Sequence, residues 1–180
     1  MKIIITLFTL FIVAVNTHAQ NLQPVDEGSK VHFVIKNFGI NASGDLSGLS
    51  GSIKFDPANF AASVFDVSVN AASIDTDNNA RDNHLRKEEY FDVEKYKTIH
   101  FQSTKVTRSS KAGRFFLFGD LTIKGVTKPI SFPFSATAKN GGYLFEGNFE
   151  INRRDFGVGG SSVSMADKLK VQLSILAKAS

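Results

Sequence analysis

The side chains best suited to chemistry lie close together in residues 71–104, between two runs that alternate like β-strands. Carboxylates beside a histidine could move protons or hold a metal, and guanidinium groups bind phosphate or carbonyl oxygens through a planar fork. The same groups could instead pair with one another and fix a helix across one end of the fold. The residues concerned are Asp75, Asp77, Arg81, Asp82, His84 and Arg86.

Arg81 is the residue that decides between these uses. A half-buried arginine usually has a carboxylate partner, so we favour an ion pair from Arg81 to one of Asp75, Asp77 and Asp82 over contact with the polar head of a ligand. The segment 153–156 poses the same choice, and there too we favour the structural role. The candidates for head-group binding or for a latch are Asp77, Arg81, Asp82, His84, Arg153 and Asp155.

Catalytic and metal chemistry lack the spacing that they need. The histidines after residue 19 are His32, His84 and His100, with no His-x-His or His-x-x-x-His pair, and the chain has no cysteine. No serine lies in a Gly-x-Ser-x-Gly turn, and residues 157–160 do not join a strand to a helix as a phosphate loop does. We therefore predict no catalytic residue, no metal and no cofactor, and place residues 157–160 in a mobile loop at a barrel mouth. The charges are interspersed without a basic stripe, so we predict no nucleic-acid partner.

The first 19 residues have the pattern of an export signal. Lys2 precedes an apolar run over 3–15, and residues 17–19 supply the small side chains that a signal peptidase needs. The run is shorter than the roughly 20 apolar residues that cross a bilayer, although an uncleaved N-terminal anchor remains the alternative. We predict a signal peptide over 1–19, one exported domain over 20–180 that is periplasmic or secreted, and no membrane-spanning segment after cleavage.

The dominant pattern after residue 20 is alternation with a period of two, which is typical of β-strands. One segment, 78–90, is predicted to be a helix that Asp75, Thr76 or Asp77 could cap. Many strands favour closure, because a barrel leaves no strand edge exposed. We therefore predict an all-β fold, an eight-stranded barrel with one helix packed over it. The eight runs are 31–36, 49–55, 63–74, 99–104, 114–124, 129–139, 143–152 and 168–178.

Phenylalanine dominates the apolar phase of these runs. An eight-stranded barrel is just wide enough to be filled by side chains or to hold one small ligand, and the residues alone favour a filled core. Gly119-Asp120 has the pattern of a bulge, Pro129 of a strand start, and Pro133 of an edge-like or outward-bent position. The inward residues that could line a lumen are Phe33, Ile35, Leu49, Ile53, Phe55, Val67, Val69, Ile99, Phe101, Phe116, Phe118, Phe132, Phe134, Phe149, Ile151, Val171 and Leu173.

Five segments, spread across nearly the whole chain after residue 20, resemble one known family. They are IKNFGI over 35–40, GSIKFDPAN over 51–59, the long segment 71–106, GDLTIKGVTKPI over 119–130 and INRRDFG over 151–157. Together they are similar to the YceI-like family of exported, polyisoprenoid-binding bacterial proteins. The resemblance implies a lipocalin-like antiparallel barrel with a helix packed over it, and no catalytic residue or metal.

The resemblance also implies a bound ligand, so a ligand-binding cavity is favoured over a core filled by side chains. The expected partner is a long-chain isoprenoid, a quinone or another lipid, bound for carriage, storage or sequestration, and several members are induced by stress. A ligand-free structural module and, less favoured, a lipid-modifying enzyme stay open as alternatives, as does a homodimer. The chain departs from the family pattern at Asn37-Phe38, at Lys124 and over 158–160, near the expected barrel openings, so its head-group preference could differ.

Overall fold

The structure is a computed structural model that describes residues 20–111 and 113–179, so the predicted signal peptide lies outside the described residues. In this part of the chain there are nine strands, one α-helix and three short 3₁₀ turns. No helix here is long and apolar enough to cross a bilayer. Helix α1 (Asn79–Leu85) lies between the fourth and fifth strands. The strands are β1 (Gln20–Asn37), β2 (Ile40–Leu46), β3 (Ser50–Phe55), β4 (Val64–Asn70), β5 (Thr98–Arg108), β6 (Arg114–Ile123), β7 (Val126–Lys139), β8 (Gly142–Asn152) and β9 (Met165–Ala179).

Eight of the nine described strands close into an antiparallel barrel, which confirms the predicted fold class. The order runs from β1 to β3 and then in sequence to β9, and β9 pairs back with β1 along most of its length. The second strand, β2, pairs with residues 31–37 of β1. Residues 20–22 of β1 pair with β3 along the same edge of β1. Thus β2 and β3 share one strand position of the barrel, β2 toward one end and β3 toward the other.

The long first strand changes partner at an irregularity. Gly28 has a positive φ of 78°, and the register with β9 shifts between Val25 and Lys30. The Ser29 hydroxyl donates to the Val25 carbonyl and accepts from the Leu176 amide, at 2.5 and 2.8 Å, which satisfies the backbone groups that the irregularity frees. This bulge breaks the alternation over 20–30, and for this reason the strand begins earlier than the sequence predicts.

The phase of β6 is opposite to the prediction. Phe115 and Leu117 are buried inside the barrel, whereas Phe116 and Phe118 face outward and are 39 and 38% exposed. Gly119 is a regular strand residue on the inner face, where a Cβ would lie 2.5 Å from the Phe101 ring. The irregularity expected there is on the neighbouring strand instead, between Ser103 and Lys105 of β5.

The helix is shorter than predicted. Its cap is Asn78, whose side chain accepts from the Arg81 amide, and the helix ends at Leu85. Residues 86–96 continue as turns rather than as helix, with Asp92 at a positive φ of 48°. Because of these turns, Tyr90 and Phe91 lie over the barrel end.

The two prolines of β7 lie where the strand is paired on one side. β7 pairs with β6 from Val126 to Ser135, but its pairing with β8 begins only at Phe134. Pro129 and Pro133 therefore both lie in the segment that lacks a β8 ladder, where a missing N–H donor costs least.

Candidate functional site, an apolar cavity in the barrel

The barrel interior is packed at one end and hollow toward the other. Three rings, Phe65, Phe134 and Phe145, lie across the interior with centroids 5.3 to 6.4 Å apart, and we call them the Phe floor. Beneath them Phe55 lies 5.2 Å from Phe145, and Phe115 stacks on Phe134 at 5.3 Å. Edge-to-face and stacked rings at these distances make a close-packed core, so this end is closed.

Above the Phe floor is a cavity of about 270 Å³. Its walls are almost entirely aliphatic and aromatic, with Phe132 stacked on Phe149 at 4.7 Å and tilted against Phe101 at 5.9 Å. The inward residues of β9, such as Val171 and Leu173, are only half buried because they face this space. The predictions of a filled core and of a lumen each describe one part of the interior.

Fourteen of the residues predicted to line a lumen border this cavity. Phe55 does not, because it lies beneath the Phe floor, and Phe116 and Phe118 do not, because they face outward. The predicted residues that border the cavity are Phe33, Ile35, Leu49, Ile53, Val67, Val69, Ile99, Phe101, Phe132, Phe134, Phe149, Ile151, Val171 and Leu173.

Among the lining residues that sequence reasoning missed are two groups. The first comprises Leu117, Leu121 and Ile123 of β6, whose spacing was a usable signal because they share parity with Phe115 and alternate with polar Asp120 and Thr122. The second covers the cavity from the end of helix α1 and from irregular segments, which lack the strand alternation that could reveal them. Its members are Ile74, Leu85, Tyr90, Phe91, Phe156 and Val158.

The cavity opens at a rim where the Arg81 side chain is exposed. The cavity shares Asn37, Thr76 and Arg81 with a shallower depression, the rim pocket, which also includes Phe38 and Ile40. The Arg81 Nε donates to the Thr76 hydroxyl at 2.7 Å and Nη2 to the Thr76 carbonyl at 2.6 Å. The predicted ion pair from Arg81 to a carboxylate is therefore wrong among the described residues. Its Nη1 group makes no hydrogen bond with the described residues and is free to meet a ligand.

Asp82 is a structural residue. It is buried, and its Oδ1 atom accepts from both the amide and the hydroxyl of Thr76. Because Thr76 also accepts from Arg81, the threonine links the two charged side chains without direct contact. The helix start is thereby fixed against the segment that borders the rim.

Arg153 is the second latch, and it is only 3% exposed. Its Nη1 atom donates to the carbonyls of Val158, Gly159 and Gly160 at 2.7 to 2.8 Å. Its Nη2 atom forms an ion pair with Asp167 at 3.0 Å. One guanidinium thus holds the chain from residue 158 to 167 over the cavity, so the segment predicted as a mobile loop is tied down.

The other polar candidates lie away from the cavity. His84 packs its ring on Tyr90 at 4.9 Å, Asp155 is exposed, and Asp77 borders only the rim pocket. His32 and His100 border the cavity, but their rings contact Asp45 and Asp66 at 2.6 and 2.8 Å on the barrel wall. The site therefore offers a long apolar surface with one exposed cation at its opening, and this arrangement suits burial of a hydrocarbon chain.

Comparison with known sequences gives a family. The YceI-like domain matches residues 22–177. A UPF0312 protein of Ectopseudomonas mendocina is 36% identical over 152 residues, covering 81% of this chain and 79% of that relative. A UPF0312 protein of Yersinia enterocolitica is 35% identical over 135 residues, covering 71% of this chain and 69% of that relative.

Solved structures share the fold. BcnA of Burkholderia cenocepacia superposes with a TM-score of 0.77 at 24% identity, covering 82% of this chain and 94% of that chain. The YCEI protein of Campylobacter jejuni gives 0.69 at 28% identity, covering 78 and 87%. A polyisoprenoid binding domain from Saccharophagus degradans gives 0.69 at 12% identity, covering 91 and 100%. With the domain match spanning nearly every described residue, this chain belongs to the YceI-like family.

Proposed function

We propose that the barrel binds the long apolar chain of an amphiphile, isoprenoid or quinone-like, without altering it chemically. The observation that carries this proposal is the apolar cavity, closed by the Phe floor and open beside Arg81. The chain end would rest on the Phe floor and the polar head would remain at the rim. Carriage, storage and sequestration all need this same arrangement.

Burial of the chain supplies the affinity. Each methylene group removed from water contributes roughly 0.8 kcal/mol before the costs of association. The cavity, at about 270 Å³, is near the lower end of the roughly 300–1,000 Å³ range of small-molecule sites. A narrow space of this size favours a thin chain over a broad ring system, so a ring-bearing head group belongs at the rim.

The relatives support the same class of function. One solved neighbour is named a polyisoprenoid binding domain, and it shares the barrel with this chain. The 12% identity of that neighbour limits the comparison to the fold, so the class of ligand is inferred from the cavity of this chain and from its family.

An enzyme acting on a lipid inside the barrel has less support. Such an enzyme needs a reactive polar group within the cavity. Of the charged groups that border the cavity, Arg153 is held by five carbonyls and Asp167, and Arg81 by Thr76 through two of its three nitrogens. The third, Glu146, is exposed to solvent rather than enclosed in the apolar interior. Both bordering histidines are bonded to aspartates on the wall. Binding uses the apolar surface directly and needs no such group.

Export completes the proposal. The apolar run over 3–15 with small residues at 17–19 indicates a signal peptide, which would deliver the domain to the compartment outside the inner membrane. Mass measurement of the mature protein in an exported fraction tests this, since a start at residue 20 is expected.

The binding proposal is tested on protein produced from the full-length gene in a bacterial host and purified without detergent. Native mass spectrometry and solvent extraction should reveal a co-purified long-chain amphiphile in a 1:1 complex. A ligand-free structural module predicts the opposite result. Protein that emerges empty, and that takes up none of a series of isoprenoid alcohols and quinones, contradicts the proposal.

A further inference from the structure

Three apolar side chains project into solvent at the open end of the barrel. Phe38 and Ile40 lie at the β1–β2 turn and are 79 and 74% exposed, and Val163 of the loop before β9 is fully exposed. The Phe38 amide donates to the Ser164 carbonyl at 2.7 Å, which ties the turn to that loop. The three side chains therefore form one feature, which we call the apolar tip.

The backbone holds this tip in place. Phe38 and Gly39 have positive φ angles of 49 and 77°, the geometry of a tight two-residue hairpin. A phenylalanine at a positive φ is uncommon, since most side chains crowd the backbone there. Because the Phe38 side chain is exposed, no burial of apolar surface offsets that backbone strain. Packing within this chain therefore does not explain why a phenylalanine stands at this position.

The tip is continuous with the ligand opening. Phe38 and Ile40 border the rim pocket, which shares Asn37, Thr76 and Arg81 with the cavity. A surface against the apolar tip would therefore face the opening directly.

Positive charge lies on the outer wall beside the tip. Lys36 is two residues before Phe38, and Lys170 is opposite Val34 on the adjacent strand β9. Both are exposed, and within the described residues neither forms an ion pair. Nearby acidic groups are occupied, with Glu150 bonded to Lys168 and Asp167 to Arg153 and Arg154. Asp77 of the rim pocket is the exposed acidic group next to the opening.

We propose that the apolar tip inserts into the surface of an anionic lipid bilayer, with Lys36 and Lys170 contacting the head groups. Separate projecting side chains flanked by lysines suit the boundary between acyl chains and head groups, which needs no complementary groove. A protein partner would more commonly require a continuous packed patch with a central anchor. The inference rests on the proposed function, because a bilayer is where a long apolar chain resides before the barrel takes it up.

Flotation with lipid vesicles tests the docking. The processed protein is mixed with vesicles of phosphatidylglycerol and phosphatidylethanolamine at low ionic strength, and the partition coefficient is measured. The variant F38S/I40S/V163S should partition about tenfold or more weakly, because binding scales with buried apolar area. The matched control V64S/F116S/F118S removes exposed apolar side chains from the strand walls and should partition like wild type. The variant K36Q/K170Q should lose about tenfold on these vesicles and little on neutral phosphatidylcholine.

Three results overturn the docking proposal: no flotation of wild type, equal flotation of wild type and the tip variant, or an equal loss in the wall control. Thermal unfolding of each variant verifies that the barrel is folded, and the tip residues are too exposed to carry the core. Uptake of a quinone from detergent micelles is measured in parallel. If wild type floats but takes up no quinone, docking stands and the proposed function fails. If the tip variant takes up quinone from micelles but not from vesicles, both stand.

Discussion

Substitution of Val171 by phenylalanine tests whether a chain occupies the hollow part of the barrel. Val171 lies on β9 with Phe33 and Phe149 as its cross-strand partners, and its half-buried side chain faces the cavity. The larger side chain occupies space equivalent to roughly four methylene groups, and at about 0.8 kcal/mol each the displaced ligand loses about 3 kcal/mol. This corresponds to more than a hundredfold increase in Kd.

Val34→Phe is the matched control, because Val34 lies on the outer face of β1, opposite Lys170, and does not border the cavity. Titration with a quinone or isoprenoid alcohol should show lost binding for V171F and ordinary binding for V34F. Both melting temperatures should stay within a few degrees of wild type, since the added ring in V171F enters existing space. Ordinary binding by a folded V171F would refute the reasoning, since the chain then cannot lie beside Val171.

Further predictions concern the latch, the phase of β6 and the rim. Arg153→Ala should lower the unfolding free energy by about 3–5 kcal/mol in thermal melts, because it leaves several carbonyls of residues 158–160 without their donor, at about 1–3 kcal/mol for each orphaned group. Arg154→Ala should cost less than about 1 kcal/mol in the same melts, since its pair with Asp167 is exposed. Phe115→Ala should cost about 3–5 kcal/mol in denaturant unfolding and Phe116→Ala less than about 1 kcal/mol, and equal losses would contradict the assigned phase. Arg81→Ala should weaken a ligand with an oxygen-bearing head about tenfold in calorimetric titration while leaving the matching hydrocarbon unaffected.

The regular parts of the barrel could be predicted because alternation reports a two-sided strand. Along β9 the inward residues Leu169, Val171 and Leu173 alternate with polar ones, and the predicted phase matches the structure. The prediction for β6 was wrong although the same rule applied. Phe116 and Phe118 were predicted to face inward because they are large and apolar. The residues that do face inward are the less bulky Leu117, Leu121 and Ile123.

The irregular parts could not be predicted from local pattern. The bulge at Gly28 and Ser29 is satisfied by a hydrogen bond to Leu176, a residue distant along the chain, and hides the start of β1. The short strand β2 contains Gly44, which lacks strand propensity but allows close approach, since a Cβ there would lie 2.7 Å from the Asp75 carbonyl oxygen. Such contacts exist only after the chain has folded.

The structural role of the charge cluster was predicted, but the hydrogen-bond partners of its side chains were not. Arg81 and Asp82 both bond to Thr76, and the longest-reaching latch comes from Arg153. Charge type and proximity indicated a structural cluster, but backbone carbonyls take the place that carboxylates were expected to fill. A sequence does not show which carbonyls a distant loop will present.

The Phe floor has a consequence for selectivity. Because Phe55 and Phe115 support it from beneath, the floor does not yield to a longer chain. The cavity then has a fixed depth. A chain shorter than that depth leaves part of the apolar cavity wall without contact, and any further length of a longer chain remains outside the barrel without added burial. Under the proposed function, this fixed depth sets a minimum chain length and no maximum, so the protein would bind a whole homologous series of long lipids and would bind their short precursors more weakly.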